Sequence, residues 1–334
     1  MAAIAGAGPV ANNRVEFTNN AWSIDGDALA TEMGIGQVVL MNDFVASGYG
    51  LLTLDLSPAS PDVKLLQAAP GGRGPVLGAP MACVGAGTGL GECFLTSPAG
   101  CRDQEHYTAY PTEGGHSDFA PRSPLEFELV QFLMAKFGQT HRVSAERVVS
   151  GRGLANVFEF LAQHPSHAAD VDPAVVAAFH AAGDLQGKVV ADHAAAGDAV
   201  CAHALAVFVG AYGAEAGNAA LKYLPGGGLF LAGGLTPKTL RHLEGDAGGF
   251  WQAFRDKGRL SGALRHVPVY AVLDEQLGQR GAHYVAVRLL KPPPAQAPAG
   301  PAAARPAARL AQLLVALAVG ALAGIAAAKY VGRR

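Results

Sequence analysis

The residues best suited to chemistry lie between Met81 and Pro121. A short apolar run, Met81-Ala-Cys-Val84, passes directly into Gly85-Ala-Gly-Thr-Gly-Leu-Gly91. Glycines at 85, 87 and 89 around Thr88 make a backbone that a ligand can approach closely. Successive N–H groups in such a turn form a concave, positive nest suited to phosphate. Downstream, Pro111-Thr-Glu-Gly-Gly-His-Ser-Asp-Phe-Ala-Pro121 places Glu113 and His116 on either side of two glycines, on a tight and exposed turn. A phosphate loop followed by a carboxylate and an imidazole points to phosphoryl transfer to a polyol.

The elements around this stretch must position those groups. Gln37-Val-Val-Leu-Met41 reads as an apolar strand that delivers Asn42-Asp43-Phe44 at its C-terminal end, where ligands bind in open α/β sheets. Taken alone, Asn42-Asp43 also reads as a strand-to-helix cap. Pro124–Phe137 carries Leu125, Leu129, Phe132, Leu133 and Phe137 at helical spacing and is stopped by Gly138. Ser144 is expected to cap a further helix with Glu146 in its positive first turn, so that glutamate is at least a helix-start charge. From Asp184 to Tyr223 the chain is Ala-rich and helical, and its His193 and His203 are too far apart in sequence to share a metal on one helix turn. Gly226-Gly-Gly-Leu-Phe-Leu-Ala-Gly-Gly-Leu235 is a second strand-then-glycine element, ending in Gly233-Gly234.

Taken together, Gly85–Gly91 and Glu113–Pro121 resemble the bacterial-type glucokinase family, within the actin-like superfamily of sugar kinases and actin-fold ATPases. The resemblance implies an α/β, two-lobed actin-like ATPase (ribonuclease H-like) fold. It also implies ATP-dependent phosphorylation of glucose at its 6-hydroxyl, with ATP and Mg2+ as cofactors. On this likeness Asp43 is the catalytic base, and Asn42, Glu113, His116 and Glu146 bind the sugar together with Asp43. Gly85, Gly87, Thr88 and Gly89 face the phosphates, and Gly233-Gly234 takes the nucleoside. The four motifs occur in family order across nearly all of residues 1–290. Family members open with a strand hairpin carrying Asp-x-Gly-Gly-Thr, which this chain does not contain. The first lobe is therefore expected to be incomplete, through truncation or through loss. Two readings follow: a glucokinase, or a non-catalytic, membrane-anchored sugar-binding or regulatory relative. A ROK-type kinase is a lesser rival, since no zinc-type Cys cluster lies near the Glu-Gly-Gly-His turn.

Composition limits the remaining classes. The chain has 334 residues, 50% hydrophobic and 16% charged, with a formal net charge of −2. That balance gives no electrostatic case for nucleic acid. It hides an asymmetry, because Lys291 onward carries six basic residues and no acid, leaving −8 on the preceding part. Cys83, Cys93, Cys101 and Cys201 form no CxxC pair and suggest neither a zinc site nor a disulfide framework. Met1–Val10 lacks a basic leader and reads as a buried first strand. The expected organisation is a small lobe over 1–54 completed by 274–290, a large lobe over 55–273, and a Pro/Ala linker over 291–306. Residues 307–328 then read as a C-terminal transmembrane helix. Within them Leu310–Ala328 has Gln312 as its only polar residue and basic flanks on both sides. An Ala-rich helix packed at an interface is the alternative. The expected protein is a cytoplasmic catalytic domain tethered by its tail to an intracellular membrane, with glucose and ATP as partners and a homodimer left open.

Overall fold

Alternating apolar residues build the central sheet of this protein, whose computed structural model describes residues 1–17, 22–245 and 249–290. The linker 291–306 and the apolar run 307–328 lie outside the described residues. In chain order the strands are β1 Ala2–Gly6, β2 Val10–Ala11, β3 Arg14–Glu16, β4 Ser23–Asp25, β5 Val38–Asn42, β6 Val63–Gln67, β7 Met81–Ala86, β8 Leu90–Thr96, β9 Thr108–Thr112, β10 Leu229–Ala232 and β11 Val269–Val272. The helices are α1 Gly26–Glu32, α2 Asp43–Leu51, α3 Pro124–Phe137, α4 Gly151–Gln163, α5 Pro173–Ala181, α6 Gln186–Ala196, α7 Ala199–Tyr223, α8 Leu235–Leu243, α9 Phe250–Arg255, α10 Ser261–Leu264 and α11 Leu277–Leu290. Residues 1–290 form one compact unit.

The main sheet has the order β6-β11-β10-β7-β8-β9, with β7, β10 and β11 parallel and the others antiparallel to their neighbours. Every residue of β7, β10 and β11 is buried, as expected for parallel strands covered on both faces. The period of two divides them between two cores. Ala82, Val84, Ala86, Leu229 and Leu231 face the cluster built with α3 to α9. Met81, Cys83, Phe230 and Ala232 face the opposite cluster, completed by Leu51 of α2 and Leu277 of α11. A second, two-stranded sheet pairs β1 with β5 in parallel, Gly6 opposite Asn42. Among the described residues no strand pairs with the far edge of β1. The antiparallel ribbon β2-β3-β4 closes over Val15, Val38 and Leu40 with α1, which Asp25 caps.

Three local expectations are corrected. Residues 55–80, whose richness in Pro, Gly, Ser and Ala predicts an inter-lobe loop, contain β6, an edge strand whose Val-Lys-Leu-Leu-Gln is flanked by Pro and Gly signals that mask it. Ser144 caps no α-helix: only the 3-10 turn Ala145–Arg147 forms there, because the Ala145 N–H donates to the Ser117 carbonyl at 2.8 Å. The helix begins instead at Gly151, with the Ser150 hydroxyl accepting from the Gly153 N–H at 2.8 Å. The Ala-rich stretch 184–223 is two helices, α6 and α7, broken where Gly197 takes φ 98° and Asp198 caps the next. α7 is long and apolar enough to cross a membrane, but 72% of its apolar window is buried inside the fold, where it forms the core.

α11 crosses α2 at very close range. A Cβ on Gly281 would overlap the Ala46 carbonyl oxygen. Alanine in a helix interior ordinarily gains about 1 kcal/mol over glycine. Here overpacking reverses the sign, so Gly281→Ala is expected to lose about 2 kcal/mol. Thermal unfolding followed by circular dichroism should show the midpoint falling by roughly 5 °C.

Candidate active site

The C-terminal ends of the parallel strands in both sheets open onto one cavity of about 510 Å³. At the end of β5, Asn42 caps α2, its Oδ1 accepting from the Phe44 and Val45 N–H groups at 2.9 and 3.2 Å. Its Nδ2 donates to the Gly8 carbonyl at 3.2 Å. The cap reading and the cavity reading are therefore both realised at Asn42. Asp43 follows as the first residue of α2 and accepts from the Phe44 N–H at 3.0 Å through Oδ1. Burial pushes its carboxyl above the ordinary aspartate range, and the nearby negative charge of Glu113 adds to that, against the backbone hydrogen bond. The Phe44 ring lies against the β7–β8 hairpin. A Cβ on Gly85 would come within 2.6 Å of it, and one on Gly91 would overlap it.

The Gly87–Gly89 turn joins β7 to β8, with Gly85 opposite Gly91 in the register. Its amides are only partly available to a ligand. The Gly87 N–H donates to the Gly89 carbonyl at 2.8 Å, and the Leu90 N–H donates to Glu146 Oε2 at 2.9 Å. The N–H groups of Thr88 and Gly89 make no such bond among the described residues, and Thr88 is exposed. The nest inferred from the glycines is thus narrower than expected, two amides and a hydroxyl. The Gly87 carbonyl accepts from the Gly151 N–H at 2.8 Å, which brings the start of α4 and Arg152 to the same turn.

Glu113 and His116 bracket a single 3-10 turn pressed onto β8. A Cβ on Gly115 would overlap the Leu90 carbonyl, and one on Gly114 would overlap the Glu92 carboxylate. The turn is closed by the His116 N–H donating to the Glu113 carbonyl at 3.0 Å. Residues 117–119 then pair with 143–145, through Ala145 N–H to Ser117 and Phe119 N–H to Val143, both 2.8 Å. That pairing delivers Glu146 beside the turn, where its carboxylate sits against Gly89.

Asn42, Asp43, Glu113, His116, Glu146, Gly85, Gly87, Thr88, Gly89 and Gly233 all line the one cavity. Gly233 requires glycine, with φ 84° and its α-carbon packed on the Ala86 carbonyl. Gly234 lies outside the lining, at the N-cap of α8, where a Cβ would meet only the far end of Lys238 at 3.9 Å. Sequence reasoning did not single out Ser47, Glu92, Arg152, Asp274 and Glu275, which also line the cavity. Asp274 and Glu275 follow the C-terminal end of β11, so the strand-end rule could have found them. Arg280, given no role from the sequence, holds Asp274 at 2.9 Å and Asp62 at 2.8 Å and also donates to the Thr53 carbonyl at 2.7 Å.

Solved structures share this architecture. A glucokinase from an Antarctic psychrotroph matches with a TM-score of 0.64 at 26% identity, covering 86% of this chain and 80% of that one. A glucokinase from Balamuthia mandrillaris in complex with glucose matches with a TM-score of 0.70 at 21% identity, covering 86% and 77%. The fold and its cavity define an α/β sugar kinase. The sequence narrows the class: residues 1–289 match the Glucokinase family model, and 285 residues are 44% identical to a glucokinase of a Synechocystis species, covering 83% of this chain and 76% of that protein. The chain belongs to the glucokinase family.

The proximity of Glu113 to Asp43 gives a test that needs no turnover. Titration of the Asp43 carboxyl by NMR should show a midpoint above that of an ordinary aspartate. In Glu113→Gln the midpoint should move down, because a like charge is removed, yet stay elevated by burial. An unchanged midpoint would mean the two carboxylates do not sense each other.

Proposed function

We propose that this chain transfers the γ-phosphoryl group of ATP to the 6-hydroxyl of glucose, with Asp43 as general base. The observation that carries the reading is the convergence of Asp43, the Glu113–His116 turn, Glu146 and the Gly87–Gly89 turn on one cavity in a glucokinase-family chain. A hydroxyl attacking a phosphoryl group needs a base within hydrogen-bond reach and a rigid grip on the polyol. Asp43 would take the proton from the 6-hydroxyl, and its raised pKa brings the base nearer to neutral operating pH. Asn42, Glu113, His116 and Glu146 would hold the remaining hydroxyls, the carboxylates through charge-assisted bonds. Thr88 and the Thr88 and Gly89 N–H groups would meet the phosphates, and Gly233, with Gly234 behind it, the nucleoside.

Among the described residues no three side chains converge as a ready-made metal cage. An Mg2+ carried mainly by ATP phosphates and water would find hard oxygens among the carboxylates that line the cavity. The ion would supply neutralisation of charge on the transferred group.

The lobes assigned to this reading are a small one over 1–54 completed by 274–290, and a large one over 55–273, in an actin-like arrangement. The packing of α11 on α2 and β1 supports the return of the chain to the small lobe. Closure of the lobes around the sugar would exclude water. A cytoplasmic catalytic domain with a membrane tether over 307–328 is part of the proposal on sequence grounds alone.

Purified protein should phosphorylate glucose with ATP, and Asp43→Asn should lower kcat by roughly 10²- to 10⁴-fold while glucose still binds. The base must be ionised, so kcat/KM should fall as pH drops through the elevated Asp43 midpoint. A variant that keeps full turnover would remove Asp43 from the mechanism.

A further inference from the structure

Beneath the Glu113–His116 turn lies an acidic group that the phosphoryl-transfer reading does not use. Glu92 sits in β8, 1% exposed, and lines the same cavity. Both of its carboxylate oxygens are buried without a hydrogen-bond partner among the described residues, and so is Oε1 of Glu215 on α7. An ionised carboxylate is strongly disfavoured in such a place.

Glu92 bears on the turn at both ends. Its carboxylate fills the space where a Gly114 Cβ would be. Its carbonyl accepts from the Thr112 hydroxyl at 3.2 Å, and that hydroxyl in turn accepts from the Gly114 N–H at 3.2 Å. Any displacement of Glu92 is therefore passed to Gly114, and through Gly114 to Glu113 and His116.

The charged and titratable groups around it come from β7, β8, α7 and the segment that follows α9. Burial pushes the Glu92 carboxyl up to about 8, the charge of Glu215 adds to this, and Lys222 opposes it. Lys222 lies 3.6 Å from Glu215 Oε1, and Lys257 also faces Glu215. Burial holds Tyr212 and Tyr223 on α7 above the ordinary tyrosine range, and the Cys93 thiol on β8 is raised by its contact with Cys83 and by burial. Glu92, raised by burial and then by the facing charge of Glu215, is thus the group here that changes charge near neutrality.

We propose that Glu92 is a positioning residue for the sugar-binding turn: it shares one proton with Glu215 and supports Gly114–His116 while that proton is held. With the proton present, the pair carries a single negative charge that Lys222 can balance, and each carboxyl has a partner. When the proton leaves to solvent, two adjacent carboxylates repel inside the fold. The Glu92 side chain then shifts against Gly114, and the turn loses its register with Asp43. The positioning role rests on the glucose-kinase reading, whereas the shared proton does not.

The full chain and Glu92→Gln are compared from about pH 6 to about pH 9.5, reading Tm by circular dichroism and KM and kcat for glucose by a coupled assay. The Glu92 pKa is raised in the folded state, so its contribution to stability is present at acid pH and is lost as pH rises through the folded value. Expected for the parent protein is a falling Tm and a glucose KM that rises about 10-fold over this range, with kcat changing less. Glutamine keeps the shape and cannot ionise, so both profiles should flatten to within about 2-fold in KM. Superimposable Tm profiles for the two proteins would overturn the shared proton. A flattened Tm profile beside an unchanged KM profile would overturn the positioning role. Absence of glucose phosphorylation by the parent protein would overturn the function and the positioning role together, while the Tm comparison still decides the proton. Should Glu92→Gln not fold, Glu215→Gln serves: loss of the facing charge should move the onset of the Tm and KM changes to lower pH, and an unmoved onset overturns the pair.

Discussion

The cavity depends on one steric fit, the Phe44 ring against the bare backbone of Gly85 and Gly91. No side chain larger than hydrogen can stand at Gly91 while that ring is in place. The contact sets the distance between the β5–α2 junction and the β7–β8 hairpin, and hence between Asp43 and the Gly87–Gly89 turn. Partial burial of Asp43 comes with the same fit, which is why its carboxyl is displaced upward rather than merely neighboured by Glu113. A close-packed interior transmits such a constraint because it has little room to relax.

From that fit the rest of the cavity is braced by groups with two roles. Asn42 finishes a helix and lines the cavity. The Glu146 carboxylate accepts from the Leu90 N–H, so it fixes the hairpin that it faces. Gly87 gives its carbonyl to the start of α4, which ties the turn to Arg152. Such double use makes the cavity rigid before any ligand arrives, and preorganised donors and acceptors are what phosphoryl transfer requires. Among the described residues its lining is strongly acidic, with Asp43, Glu92, Glu113, Glu146, Asp274 and Glu275 set against Arg152 as the one arginine or lysine. A neutral polyol fits such a surface, and a polyanionic nucleotide fits it only with its charge countered.

Much of this was legible from sequence because the signals are local. Glycine spacing marks backbone that must turn or be approached, and the Asn-Asp pair after an apolar run marks a strand end. Gly138 ends α3 as its capping chemistry demands. The misreadings arose where a distant partner outweighed a local preference. Ser144 could have capped a helix, but the pairing of 143–145 with 117–119 claimed that backbone. The β6 strand is defined by β11, some two hundred residues away in the chain, and its own flanks read as loop. Gly234 carried the same local signal as Gly233, yet only Gly233 has the positive φ and the close neighbour that need it.

The sequence by itself determined which residues could bind and react, the α/β alternation that carries them, and the order in which they occur. Those properties follow from side-chain chemistry and from periods of two and 3.6 residues, which act over a few neighbours. It took the tertiary fold to settle which amides of the glycine turn are left for a ligand, that Asp43 is part-buried near Glu113, and that the Glu92 carboxylate lies buried under the turn. Each of these is a matter of distance and burial between residues remote in the chain, and the pattern of one segment cannot encode them.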